Sequence, residues 1–180
     1  MKKLLACLIL VLGAASSMAE PKAFNLSLTP DVAVYDRSQT IEGVTLSVWG
    51  ENPQSSFALG IANGTTGKSV GFSCGILNYA DYYKGAQLGL VNYNKDESFG
   101  WQGFFGAIVN FTTENVKGLQ TGVVNYAGRL KGVQFGLVNY AKEGDSSFQI
   151  GLINIIPRNE WFSKTPDELA PGMILVNWRF

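Results

Sequence analysis

Hydrophobic and polar residues alternate along most of the chain in short segments that share one pattern, G-x-Q-x-G-x-x-N-Y. The pattern recurs mostly every 14 or 15 residues. In the copy that ends at Asn139, Val133, Phe135 and Leu137 fall on one side of an extended strand. Gln134 falls on the other side, together with the glycines. A period of two predicts β-strands, and the polar clusters between the segments predict turns.

Four copies define the repeat, and degenerate copies at 57–63, 71–78 and 103–110 extend it. We interpret the recurring residues as fold-defining and not as catalytic. They are Gly85, Gln87, Gly89, Asn92, Gly118, Gln120, Gly122, Asn125, Gly132, Gln134, Gly136, Asn139, Gln149, Gly151 and Asn154.

Two all-β architectures fit a tandem array of single strands. In the first, an antiparallel meander of about ten strands closes into a β-barrel. In the second, a parallel β-solenoid, each repeat forms one coil and the Asn and Gln side chains stack as ladders. Strands of about 9–11 residues, with one apolar and one small, polar side, favour the barrel. So does the aromatic residue at the end of the chain, Phe180. Antiparallel pairing would place the first glycine of each repeat opposite the tyrosine that follows Asn.

The two ends of the chain differ from the repeat. Residues 1–19 predict a signal peptide, with a basic start, an apolar stretch over 4–15 and small residues at the cleavage site. We therefore expect one mature domain, 20–180, in an exported protein of the outer membrane or cell surface, the periplasm being the alternative. A short insertion at 157–170 precedes the last strand, and its Thr-Pro-Asp-Glu sequence (165–168) predicts a single helical turn.

These Asn-aligned repeats behind a signal peptide resemble the bacterial LA_2272-type surface-repeat proteins. The resemblance covers roughly 43–154, and the ending at 161–180 is similar to a small subgroup whose members carry an automated polyhydroxyalkanoate-synthase label. It implies export and a surface or outer-membrane setting. It implies no activity, and under it the repeat residues define the fold.

Composition excludes several function classes. Without Lys2 and Lys3 of the leader, the 14 basic residues fall to 12, against 14 acidic ones, so a basic nucleic-acid surface is not expected. The chain has no histidine, and Cys74 is the only cysteine after the leader. We therefore expect no zinc site, no other metal site and no cofactor.

One segment imitates a catalytic motif. Residues 71–75 spell G-x-S-x-G, the sequence of a nucleophile elbow. Without a histidine there is no base for Ser73, and its two glycines coincide with repeat positions. We interpret the segment as structural, and expect Cys74 to be a small core residue.

The sequence thus predicts a non-enzymatic exported β-repeat protein with a structural or interaction role, and outer-membrane lipid as its partner. The alternative is a soluble β-solenoid that serves as a binding module in the periplasm or outside the cell. Tyr79, Tyr93, Tyr126 and Tyr140, each just past an Asn, suit a girdle or a cover for glycine better than a ligand-stacking ladder. A protein or glycan partner is not identified by the sequence.

Overall fold

The computed structural model describes residues 20–104 and 106–180; the predicted signal peptide lies outside them. The described residues form eight strands in one sheet, in the order β2-β1-β3-β4-β5-β6-β7-β8. The strands are β1 (Lys22–Thr29), β2 (Val32–Ala33), β3 (Ile41–Glu51), β4 (Ser55–Gly103), β5 (Val109–Thr121), β6 (Val124–Phe135), β7 (Val138–Ile155) and β8 (Gly172–Arg179).

The sheet winds into a β-solenoid of about nine turns. From β3 to β7 each strand pairs with the next in parallel, and like residues lie side by side: Asn110 pairs with Asn125, and Asn125 with Asn139. The prediction of an antiparallel barrel of about ten strands is therefore wrong, and the solenoid alternative is confirmed. The expected pairing of glycine with tyrosine is also wrong, because Gly118 pairs with Gly132.

Strand β4 is 49 residues long because it continues through several turns of the coil. Within it, the side chain of Asn63 donates to Asn78 at 3.0 Å, and Asn78 donates to Asn92 at 2.8 Å. These residues are 15 and 14 positions apart. One repeat therefore makes one turn, and its asparagines stack along the solenoid axis.

The first glycine of the repeat is required by its backbone conformation. Gly85, Gly118 and Gly132 have φ angles of +135°, +139° and +137°. A Cβ on Gly132 would lie 2.0 Å from the carbonyl oxygen of Gly118 in the turn before it. Only glycine combines a positive φ with this close approach of two backbones without strain.

Ser56 occupies the same position one turn before Gly71. Its φ is +127°, although it carries a side chain. The oxygen of Ser56 would lie 2.0 Å from a Cβ on Gly71, so the two residues stack as the glycines do. Ser56 is therefore strained, because it carries a side chain at a positive φ in a column that otherwise consists of glycines.

Both ends of the solenoid are covered by antiparallel strands. The short β2 folds back on β1, and β8 pairs with β7. The insertion 157–170 leads into β8 as a series of turns, so the helical turn predicted at 165–168 is wrong. The hydroxyl of Thr165 shares its one proton between the carbonyls of Phe162 and Glu168, and the amide of Glu168 donates to the carbonyl of Lys164, so Thr165 does not cap a helix.

The substitution Ser56→Gly should stabilise the protein by about 1 kcal/mol, because it removes the strain of a side chain at positive φ. Urea unfolding would measure this as a higher midpoint with an unchanged slope. The reverse change one turn later, Gly71→Ser, is the matched control. It should destabilise by about 2–4 kcal/mol because the new Cβ meets the Ser56 carbonyl. Equal effects of the two changes would contradict a strained column.

Candidate functional site

Asparagine side chains form a continuous ladder through the solenoid. From Asn63 to Asn139, each Nδ2 donates to the Oδ1 of the asparagine in the next turn at 2.8–3.0 Å. All the members are at most 2 % exposed. They are Asn63, Asn78, Asn92, Asn110, Asn125, Asn139 and Asn154.

The second Nδ2 hydrogen of most ladder asparagines satisfies the backbone at a corner of the coil. Asn139, for example, donates to the carbonyl of Ile150 at 2.8 Å. The corner glycine has no side chain because this amide fills its place: a Cβ on Gly136 would lie 2.5 Å from Nδ2 of Asn125. The x-G-x-x-N part of the repeat therefore forms one corner, in which the asparagine amide occupies the space beside the glycine and hydrogen-bonds the backbone.

Glutamines form a second ladder, which lies beside the asparagine ladder along the solenoid axis. Gln149 donates to Gln134, Gln134 to Gln120, and Gln120 to Gln102, each at 2.7 Å. The other hydrogen of each donor crosses the coil to the carbonyl that follows the asparagine, as from Gln134 to Tyr140 at 3.2 Å. The glutamines thus link successive turns and also brace each turn.

The two ladders run in opposite directions. Asparagine amides donate toward the C-terminus and glutamine amides toward the N-terminus. A backbone carbonyl only accepts, so it fixes which end of each amide is the donor. The ends of the glutamine ladder agree with this direction, because Oε1 of Gln149 and Nε2 of Gln102 are the atoms without a protein partner.

The structure brings most of the predicted repeat residues together. The glutamines at 120, 134 and 149 and the asparagines from 92 to 154 are in the ladders. Gln87 is buried but instead accepts from Asn94 at 2.8 Å. Gly89, Gly122, Gly136 and Gly151 occupy the corners, and Gly85, Gly118 and Gly132 the column with positive φ.

Gln102 was missed as a ladder residue. It lies eight residues before Asn110, whereas Gln134 lies five before Asn139. The turn is longer, so Asn92 and Asn110 are 18 positions apart. The segment Gly100-Trp-Gln102 shows the G-x-Q part of the repeat and could have identified it.

The strict alternation of sides also predicted the wrong side of the strand for the repeat asparagine. Phe135 and Leu137 face outward, as predicted, but Asn139 is fully buried although the period of two puts it on their side. The chain turns the corner after Gly136, and the phase of the alternation changes there. Cys74 is likewise exposed instead of buried.

The catalytic-looking segment at 71–75 is part of the ladder structure. Ser73 is 1 % exposed, and its hydroxyl donates to Oδ1 of Asn78 at 2.7 Å. It occupies the glutamine position of its turn. This geometry commits the Ser73 hydroxyl to the Asn ladder.

Apolar residues cover the outside of the repeat segments. We call the outward-facing residues of these segments, on both sides of the corner glycines, the apolar band. Its ridge lies two residues before each ladder asparagine and is 42–60 % exposed at six turns. The ridge residues are Ile61, Ile76, Ile108, Val123, Leu137 and Leu152. Along this part of the coil, side-chain amides therefore fill the interior and apolar side chains cover the outer surface.

Charged side chains occupy the opposite part of each turn. The segments 71–79, 85–93, 118–126, 132–140 and 147–155 contain no charged residue. The connecting segments carry the charges, and we call them the charged arc. Arg129 and Arg158 both pair with Glu143 at 2.7 Å, and the Arg129 hydrogen bond holds the pKa of that carboxyl below its usual range.

Aromatic rings form a stack at the border between the apolar band and the charged arc. Tyr93, Phe111, Tyr126 and Tyr140 follow successive ladder asparagines, with centroid distances of 5.8, 4.3 and 5.3 Å. The rings thus stack on one another. Tyr79 fills the space beside Gly64, which follows Asn63 and so holds the tyrosine position of its own turn; it does not cover the first glycine of a repeat, as was predicted.

Among the described residues no group of three or more His, Cys, Asp or Glu side chains converges to hold a metal ion. Residues 20–104 and 106–180 also contain no helix with the length and hydropathy needed to cross a membrane. Comparison of the chain with family models, curated proteins and solved structures found no match.

Removing one ladder amide should destabilise the solenoid strongly. Asn125→Ala removes the partner of Asn110 and Asn139 and of the Phe135 carbonyl, which we expect to cost about 3 kcal/mol. Asn125→Asp should be as damaging at neutral pH but should recover stability in acid, because a protonated carboxyl can donate again. Urea unfolding at pH 4 and pH 7 measures both effects.

Asn115→Ala is the control, because the Asn115 side chain makes one part-buried bond, to Glu97 at 2.8 Å. It should cost about 1 kcal/mol or less. If Asn125→Asp showed no gain of stability in acid relative to wild type, the ladder would not be held by directional hydrogen bonds.

Alkaline pH should weaken the N-terminal turns through Tyr79. Its hydroxyl accepts from Trp49 and donates to Glu51, both at 2.7 Å, and burial raises its pKa to about 12 from 10.0. The unfolded chain loses this proton first, so the contribution of Tyr79 to stability is complete below pH 10 and is lost as the pH rises toward 12. Unfolding at pH 9 and pH 11 should show a smaller decrease in Tyr79→Phe than in wild type. Tyr93→Phe, at an exposed ring of the stack, is the matched variant.

Proposed function

We propose that this chain is an exported, non-enzymatic β-solenoid of the surface-repeat type, with a structural or interaction role. The observation that carries the proposal is the division of each turn between a hydrogen-bonded amide interior and an uncharged, apolar exterior. An interior filled by ladders supports a rigid scaffold, and the exterior supports contact with another surface.

The available side chains support a role without catalysis. The sequence contains no histidine, and the one hydroxyl in a catalytic-looking motif, that of Ser73, donates to Asn78. The glutamine and asparagine amides are neutral and use their hydrogens within the ladders. Such groups position a backbone well, but they neither take up protons nor attack a substrate at neutral pH.

The leader and the repeat together support a position outside the cytoplasm. Residues 1–19 have the composition of a signal peptide, and the segments after them resemble those of surface-repeat proteins. Cleavage after Ala19 would leave Glu20 at the N-terminus. We propose that the mature chain acts at the cell surface or in the periplasm.

Fractionation of the bacterium that makes the protein tests this function. We expect the mature chain to begin at Glu20, as mass spectrometry would show, and to sediment with the cell envelope. The double variant Leu137→Ser/Leu152→Ser should be released into the soluble fraction while its circular dichroism stays that of wild type, because both side chains point outward.

The matched control, Lys131→Gln/Asp145→Asn, changes the charged arc and should stay with the envelope. An uncleaved cytoplasmic protein would contradict export. Equal distribution of the two double variants would contradict a contact role for the apolar band.

A further inference from the structure

The apolar band is larger than the hydrophobic surface of an ordinary soluble domain. It extends over the seven turns that hold the ladder asparagines, each about 4.8 Å from the next, and over some seven residues of each turn. The product is about 800 Å², whereas the largest apolar patch of a soluble monomer is about 300–600 Å². An exposed apolar surface of this size is typical of a site that contacts another protein or a membrane.

The shape of the band favours a deformable cover. The backbone bends at residues 136 and 137, between the end of β6 at Phe135 and the start of β7 at Val138, so the band continues around a corner and is not one flat face. A second copy of the chain is rigid and could pack flat against the band on only one side of this corner. Fluid hydrocarbon can follow both.

A groove runs along the band beside the corner. It has a volume of about 330 Å³ and crosses three turns. Its lining includes the corner glycines Gly122, Gly136 and Gly151 together with Leu137 and Leu152. An apolar trough of this kind suits a hydrocarbon chain lying along the solenoid axis.

The border of the band has the chemistry of a membrane interface. The stack of Tyr93, Phe111, Tyr126 and Tyr140 separates the band from the charged arc. Tyrosine prefers the boundary between hydrocarbon and water because its ring is apolar and its hydroxyl is polar. Beyond it, Arg129, Glu143 and Arg158 would face water.

We infer that the protein lies on a lipid surface, with its apolar band in the outer hydrocarbon and its charged arc in water. This inference rests on the proposed contact role of the band and names its partner. The charged arc carries both signs, and residues 20–180 have 12 basic and 14 acidic side chains. Attraction is therefore hydrophobic, and neutral lipids suffice.

Flotation of the purified mature chain with phosphatidylcholine vesicles tests the inference. Wild type should float equally at low and high salt, because screening does not affect hydrophobic contact. Leu137→Asp/Leu152→Asp should reduce the floating fraction at least about tenfold, and Lys131→Gln/Asp145→Asn should not. Wild-type protein that stays at the bottom of the gradient would overturn the inference.

A fluorescent label reports the same contact without changing a leucine. Cys74 is exposed, lies in the band and is the only thiol of the mature chain. A polarity-sensitive dye on it should shift to the blue when vesicles are added. The matched position is Lys117→Cys in a Cys74→Ser background, on the charged arc, where no shift is expected. Equal responses at the two positions would overturn the orientation.

The failure of this inference differs from the failure of the proposed function. If the protein sediments with the envelope through the band but ignores vesicles, the contact role stands and lipid is not the partner. A stable dimer in sedimentation velocity, lost in Leu137→Asp/Leu152→Asp, would then identify a second copy as the cover.

Discussion

A buried primary amide has two donor hydrogens and an oxygen that must all find partners, and this requirement organises the molecule. In the asparagine ladder one hydrogen goes to the next turn, and in most members the other goes to a corner carbonyl. Both bonds form only if like residues stack in register. A slip by one residue would leave a row of amides buried and unpaired, so the ladder selects a single register far more strongly than apolar packing could.

The opposite directions of the two ladders follow from the backbone. Most of the amide planes are oriented by a carbonyl of the coil, at the corner for asparagine and across the coil for glutamine. The amide dipoles of the two columns therefore oppose each other, and the four glutamines offset part of the dipole of the seven asparagines. The buried apolar cluster of Val116, Ala127, Leu130, Ala141 and Ile156 fills the part of the interior nearer the charged arc.

The strands, the outward apolar side and the inward glutamines could be predicted from the sequence, because they follow from a local period of two. The choice between an antiparallel barrel and a parallel solenoid could not be predicted in this way, since parallel and antiparallel strands share that period. The identity of the repeats could have indicated the strand direction, because identical repeats place Asn125 beside Asn139 only when all strands run the same way. Asn139 was misplaced because the corner after the second glycine changes the phase of the alternation. Cys74 was misplaced for another reason: it precedes that glycine, at the outward position of Phe135, but its apolar character indicated the core. Gln102 was missed because its turn is four residues longer than the basic 14-residue repeat.

The ends of a ladder are where such a coil is vulnerable, because an open turn offers unpaired backbone to another chain. At the C-terminal end the strand direction reverses, and Asn177 replaces the next ladder residue: it donates to the backbone oxygens of Asn154 and Ala170. Glu168, 3 % exposed, pairs with Arg179 at 2.6 Å and accepts from the amide of Glu160, which fixes the insertion against β8. The insertion that interrupts the repeat therefore serves to end it: an antiparallel strand cannot present the stacked amides that a further turn or a second molecule would need in order to continue the ladder.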